Sequence, residues 1–192
     1  MNGHKIVNQN ALHFITLTVV SWADVFSRPV YRDIVLDSLI YCQKEKGLVV
    51  NSYVLMSNHL HLICYTKAPN LLSNTIRDFK KFTSKRIIKE IETNKSESRR
   101  EWLLRLFKFH AKFNSDNLNY QFWTQYNKPM ELESPGWVMQ KIKYIHLNPV
   151  KNGLVDVPEA YRYSSARQYL GHSGLIDIEV LDIGPDIGYI SL

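Results

Sequence analysis

Two stretches carry the residues that could do chemistry. In the first, Tyr53-Val54-Leu55-Met56-Ser57-Asn58-His59-Leu60-His61-Leu62-Ile63-Cys64, two histidines stand two apart in an apolar run. Residues two apart on a strand share a face, so His59 and His61 point one way while Leu60, Leu62 and Cys64 point the other. Taken alone, this pattern fits two hydrogen-bonded or half-exposed imidazoles as readily as ligands. In the second stretch Tyr144 and Asn148 are four apart on a helix and share a face, with Lys141 and Lys151 flanking them and His146 turned elsewhere.

Two imidazoles and one amide oxygen make a borderline-to-hard cation site with open positions. That donor set suits Mg²⁺ or Mn²⁺ better than structural zinc, which takes four closed ligands. An open divalent cation grips phosphate oxygens, and Tyr144, one turn from Asn148, is then a candidate nucleophile. A phenol of pKa about 10 is a better leaving group than a sugar hydroxyl. A phosphotyrosine therefore keeps a phosphodiester activated, and a free 3′-OH can re-attack it. Such chemistry cuts and rejoins nucleic acid without ATP.

The elements that must hold these groups follow from periodicity. His13 to Val20 alternates and is β-branched, as a strand does. Pro29 to Lys46 has helical spacing (Ile34, Leu36, Leu39, Ile40), ended by Gly47. Leu48 to Met56 and His59 to Thr66 form an antiparallel hairpin about the Ser57-Asn58 turn. Asn70 is placed to cap a helix from Leu71 to about Ile91. This helix has an apolar stripe of Leu72, Ile76, Phe79 and Ile87, and Arg77, Lys81, Lys85 and Lys89 spaced four apart on its other side. That basic row is either a solvated face or a phosphate-tracking surface. Trp102 to Phe113 reads as a basic amphipathic helix or a helix–strand transition, and Tyr120 to Tyr126 as a fourth strand whose aromatics pack or stack. Ser134 caps a helix beginning at Pro135 and ended by Asn148-Pro149. Val157 to Tyr163 is irregular, and Ser164-Ser165 opens a short helix to Leu170. The tail beyond Gly171, with Asp177, Glu179, Asp182 and Asp186, reads as a short strand or a docked segment.

The bulk numbers set bounds. The 192 residues suit one domain spanning residues 1–192, with a core of about 13–170 and a tail of 171–192. The net charge of +6 permits a nucleic-acid partner. Two distant cysteines, Cys42 and Cys64, suggest neither a disulfide framework nor a zinc–thiolate site and imply a reducing compartment. Neither a signal peptide nor a membrane span is expected, so a cytoplasmic protein with no membrane partner is.

Here a family resemblance becomes specific. The Tyr53–Leu62 block is similar to the His-hydrophobic-His signature of the single-tyrosine HUH transposases, within the branch that includes the REP-associated tyrosine transposases. Tyr144-Ile145-His146-Leu147-Asn148-Pro149-Val150-Lys151-Asn152-Gly153-Leu154-Val155 resembles that branch's motif around the catalytic tyrosine. Phe122-Trp123 and Tyr163-Ser164-Ser165 also match in type and order, and the likeness runs from about Phe14 to Leu170.

The resemblance implies an α+β fold, a ferredoxin-like antiparallel sheet with helices on one face. It implies His59 and His61 as metal ligands and Tyr144 as the nucleophile that forms a 5′-phosphotyrosine link to single-stranded DNA. Asn148 falls at the third-ligand position, where many relatives carry glutamine. The implied substrates are hairpins with flanking single strands at transposon ends or in palindromic repeats. The implied setting is a bacterial, nucleoid-associated protein, either a monomer or a homodimer. Arg77, Lys81, Lys85, Lys89, Lys141 and Lys151 are the expected nucleic-acid contacts. Two other classes compete with the strand transferase: a domesticated DNA- or RNA-binding protein without catalysis, and a water-using metal-dependent phosphodiesterase.

Overall fold

The computed structural model describes residues 5–113 and 119–182. Strands β1 (His13–Thr18), β2 (Leu48–Leu55), β3 (His59–Thr66) and β4 (Met130–Glu131) form one antiparallel sheet in the order β2-β3-β1-β4. Helix α1 (Pro29–Glu45) carries the chain from β1 over to β2, leaving the central slot for β3. Helices α2 (Leu72–Thr93) and α3 (Arg100–Ala111) then lead to β4, and α4 (Pro135–Lys151) follows. This is the split βαβ arrangement of a ferredoxin-like sheet.

Strand alternation divides the sheet into two unlike faces. Ile15, Leu17, Leu60, Leu62 and Cys64 enter the main core, where Leu39 of α1, Phe79 and Ile87 of α2 and Phe107 of α3 cover them. Phe14, Val54 and Ile63 face the other way, against Ile142 and Ile145 of α4. The expected antiparallel sheet is thus present with α1, α2 and α3 on one face, and α4 adds a second covered face. Both cysteines lie buried as thiols, and burial pushes Cys64 up to about 12. No helix among the described residues is long and apolar enough to cross a membrane.

Three expectations are corrected. The fourth strand is Met130–Glu131, not Tyr120–Tyr126. Phe122 and Trp123 are consecutive yet both buried, and Trp123 makes only an isolated bridge to Val19. The carbonyls of Thr124 and Gln125 accept hydrogen bonds from Lys80 Nζ at 2.8 and 3.3 Å, so a lysine rather than a neighbouring strand satisfies them. Second, Asn70 does not cap α2, whose N-cap is Leu71 without a side-chain bond. Gln9 Oε1 accepts from the Ser73 backbone N–H at 3.0 Å in its place. Third, α4 does not stop at Asn148 but runs to Lys151 with Pro149 in its last turn. A proline so near the end forfeits one hydrogen bond without breaking the helix, and Gly153, at φ +66°, turns the chain away. The Ser134 cap is present: its Oγ accepts from Trp137 N–H at 3.3 Å.

The tail to Asp182 docks without forming a strand, Glu179 N–H donating to Val50 O at 2.9 Å; Asp186 lies outside the described residues. Beside β2 the chain from Tyr161 to Ser165 closes the open edge, with Leu55 N–H donating to Tyr163 O and Ser165 N–H to Tyr53 O. Covering an edge in this way removes a pairing template.

One buried charge ties the α2–α3 connection to the start of α1. The Glu97 carboxylate meets Arg28 Nε at 2.8 Å and Arg99 Nε at 3.1 Å, and accepts the Tyr31 hydroxyl at 3.0 Å. Burial alone would raise its pKa, but Arg99, through its side chain and its backbone N–H, and the Tyr31 hydroxyl hold it below the usual carboxylate range. Glu97→Ala leaves the Tyr31 hydroxyl without its acceptor and takes one partner each from Arg99, which keeps Asp24, and Arg28, which keeps Ser98. It is expected to lower stability by about 2–3 kcal/mol in urea unfolding; a loss below about 0.5 kcal/mol would show that the cluster is surface decoration.

Candidate active site

The β1–β3 register puts Thr16 opposite His61 and Thr18 opposite His59, all on the α4 side of the sheet. The two imidazole rings are 4.6 Å apart, centroid to centroid. Tyr144 of α4 stands 5.1 Å from the His61 ring and 5.9 Å from Phe14. His61 is thereby clasped between Phe14, stacked at 5.3 Å, and the tyrosine. The histidines are buried, whereas Tyr144 keeps 41% of its surface exposed, open to a substrate. Lys141, one turn earlier, holds its Nζ 4.9 Å over Phe14 and 5.8 Å over Tyr144. A cation there favours an incoming phosphate.

Hydrogen bonding orients each ring. Asn58 Nδ2 donates to Trp22 O at 3.2 Å, which turns Oδ1 toward His59 Nδ1 at 2.6 Å. An amide oxygen only accepts, so Nδ1 of His59 carries the proton and Nε2 the lone pair. His61 Nδ1 lies 2.8 Å from Thr16 Oγ1, and its Nε2 is buried with no hydrogen-bond partner. An orphaned buried nitrogen is costly unless something binds it. With Nδ1–H donated to Thr16, both Nε2 atoms present lone pairs, the arrangement that metal-ligating histidines show. Burial pushes the His59 pKa down to about 4. Burial, reinforced by the repulsion a second protonated ring at His59 would meet and by the charge of Lys141, pushes His61 to about 3. Both rings are therefore neutral donors at physiological pH.

Among the described residues no three His, Cys, Asp or Glu side chains converge on a metal position. A cation held there would have to draw any third side-chain ligand from an amide or hydroxyl, and Asn148 carries an amide on the helix that faces the histidines. It is buried, and its Oδ1 accepts from Asn152 Nδ2 at 3.2 Å, leaving a second lone pair. The donor set fits a hard-to-borderline divalent cation.

His146, two residues from Tyr144, does different work. It is wholly buried, and its Nε2 lies 3.1 Å from Ser52 Oγ and 2.8 Å from Ser165 Oγ. It pins α4 to β2 and to the Tyr163-Ser164-Ser165 segment, and burial pushes its pKa down to about 3.

The basic row is elsewhere. Arg77, Lys81, Lys85 and Lys89 are exposed on α2, which covers the opposite face of the sheet from Tyr144. They line a groove of about 1410 Å³ shared with Tyr120 and residues 122–125. Arg77 is paired with Asp78 at 3.0 Å. Lys80, unremarked in the sequence, spans from α2 to Asn127 Oδ1 at 2.8 Å, and burial pushes it down to about 8. Lys151 is exposed at the end of α4. Asn58, expected only as a turn residue, and Thr16 also belong to the site. Asn58 precedes the first histidine, and only the cross-strand register identifies Thr16.

The family model for IS200-like transposases matches residues 7–119, a span that contains the histidine pair. A comparison with curated proteins finds no match. Among solved structures, a REP-associated tyrosine transposase bound to a REP hairpin has the same fold, with a TM-score of 0.63 at 15% identity over 96% of this chain and 97% of that one. A transposase-like protein from Deinococcus radiodurans R1, described as putative, aligns with a TM-score of 0.39 at 13% identity over 76% of this chain and 98% of that one.

Three buried neutral imidazoles make the metal-free protein sensitive to acid. Their folded pKa values lie below the unfolded value of 6.5, so the unfolded chain binds more protons as pH falls. The stability they contribute is complete above pH 6.5 and is lost as pH falls toward 4 and 3. Each imidazole costs up to about 1.4 kcal/mol per pH unit. The Tm in chelator should drop steadily between pH 6.5 and 5, above the main carboxylate range; a flat Tm over that interval contradicts the burial of the pair.

Proposed function

Because the chain belongs to the IS200-like transposase family, enzymes that nick and rejoin DNA, we propose that it cleaves and transfers single-stranded DNA at hairpin or palindromic sites through a 5′-phosphotyrosine on Tyr144. The observation that carries this reading is the contact between the exposed Tyr144 ring and the orphaned His61 imidazole, 5.1 Å apart on one face of the sheet. The fold it shares with a hairpin-bound transposase supports the same reading.

A divalent cation, Mg²⁺ or Mn²⁺, held by His59, His61 and Asn148, would supply a Lewis acid for the non-bridging oxygens of the scissile phosphate. The chain's own residues do the rest. Asn58 holds His59 in the lone-pair-outward tautomer, and Thr16, by accepting from Nδ1–H, would hold His61 in the same one. Lys141 offers positive charge beside the phenol. Phe14 and His61 fix the ring of Tyr144, so that its oxygen meets the phosphorus along one line of attack. As the Tyr144 oxygen bonds to phosphorus, the bond to the 3′-oxygen breaks; the phenol has lost a proton and the departing oxygen gains one. A second 3′-OH attacks the phosphotyrosine, and the phenol leaves. The number of phosphate ester bonds is unchanged, so no nucleotide is consumed.

The basic groove along α2 is read as a phosphate-binding surface for the structured part of the DNA, with Lys141 and Lys151 serving the strand at the site. It is separated from the chemistry by the thickness of the sheet. The path between them therefore runs around the molecule.

Tyr144→Phe is expected to abolish the covalent adduct with a single-stranded or hairpin oligonucleotide while keeping affinity within about threefold, and EDTA should stop adduct formation by the unaltered protein. An adduct with the Phe variant rejects Tyr144. Free 5′-phosphate ends without an adduct favour the water-using phosphodiesterase, and binding without any cleavage in Mn²⁺ favours the domesticated binder. The double reversal Lys81→Glu, Lys85→Glu should weaken hairpin binding and flatten its dependence on salt by roughly two to four phosphate contacts; unchanged affinity would mark the row as a solvated face.

A further inference from the structure

Val19 to Ala23 leaves β1 through an unusual turn. Ser21 and Trp22 are consecutive and both left-handed, at φ +53° and +55°. L-residues with bulky side chains avoid that region, which only glycine enters freely. The turn is held on all sides. Val19 and Val20 are buried, Val20 N–H donates to Phe122 O at 2.9 Å, and Trp22 O accepts from Asn58. This conformation does not bury the indole. Trp22 is 65% exposed and stands edge-on to His59 at 5.7 Å.

The turn is also tied to the last turn of α3. Ser21 Oγ lies 2.7 Å from His110 Nε2, and beside His110 the exposed rings of Phe109 and Phe113 sit 5.1 Å apart. Lys108 and Lys112 are exposed on the same helix end. An aromatic and cationic strip thus begins at the histidine pair and leads away from it. Exposed rings interleaved with cations, at no benefit to the core, match what single-stranded nucleic acid requires: faces for bases and charges for phosphates.

We propose that Trp22, Phe109 and Phe113, with Lys108 and Lys112, form the track for the single-stranded DNA flanking the scissile phosphate, Trp22 stacking the base next to it. This rests on the strand-transfer reading of the His59–Tyr144 site. It assigns Trp22 as a substrate-positioning residue, held in place by a strained backbone and by Asn58, the residue that also orients His59.

The test uses the full chain in the Tyr144→Phe background, so that binding is measured without cleavage. The probes are a fluorescent dT20 strand and a blunt 20-base-pair duplex. Trp22→Gly removes the ring and suits the left-handed backbone, so it should fold with Tm unchanged or raised while its affinity for dT20 falls roughly five- to hundredfold. Trp22→Phe should retain affinity within about threefold. The Phe109→Ala, Phe113→Ala double variant should lose affinity for dT20 but not for the duplex. Unchanged dT20 affinity in Trp22→Gly and in the double variant overturns the track. So does a dimer-to-monomer shift of the double variant in sedimentation with dT20 affinity intact, which would make the strip a subunit interface. Adduct formation by the Tyr144-containing protein is scored separately, so a failed track and a failed nucleophile remain distinguishable.

Discussion

Two imidazoles side by side on a buried sheet face are the constraint around which the molecule is arranged. Protonated, they would repel each other at a ring separation of 4.6 Å in a poorly solvated place. Neutral, they need partners for their ring nitrogens. The β1–β3 register supplies one for His61 by setting Thr16 across from it, and the hairpin turn supplies one for His59 through Asn58. Shifting that register by one residue would send every side chain of β3 to the other face, exchanging the histidines for Leu60 and Leu62.

The two faces of the sheet divide the work. One is filled by α1, α2 and α3 and holds the larger core; its Leu60, Leu62 and Cys64 keep β3 in place. The other is covered by α4 through Ile142 and Ile145, with His146 locked to Ser52 and Ser165. That lock matters because Tyr144 is placed by its own helix. The helix backbone that carries Tyr144 cannot shift relative to His61 without dislodging the buried His146 two residues on. The half-exposed phenol proposed as the nucleophile is thus carried on a rigid element, as a preorganised site requires.

Much of this was legible in the sequence because it depends on local periods. The alternation in His59–Thr66 separated the histidine face from the core face, and the four-residue spacing of Tyr144 and Asn148 put both on one helix face. What was not legible depends on contacts far apart in the chain. Phe122 and Trp123 look like a strand by composition, yet the carbonyls of Thr124 and Gln125 that follow them are taken by Lys80, 44 and 45 positions earlier, and the true edge strand is only Met130–Glu131. The Asn70 cap is pre-empted by Gln9, which lies 64 positions before the Ser73 N–H it accepts from. Glu97 reads as one charge in a polar loop, and only the fold surrounds it with Arg28, Arg99 and Tyr31. The distance between the α2 basic row and the chemistry was equally hidden, since helix spacing tells which residues share a face but not which side of the sheet that face covers.

The most direct measurement of the central claim is the chemical location of the DNA–protein bond. The unaltered protein, incubated with a hairpin oligonucleotide and Mn²⁺, is digested with trypsin and nuclease, and the nucleotide-bearing peptide is sequenced by mass spectrometry. The account predicts the residual phosphodeoxynucleotide on Tyr144, within the peptide of residues 144–151, joined through its 5′-phosphate. The same mass on any of the other tyrosines, or a 3′-phosphate linkage, would contradict it.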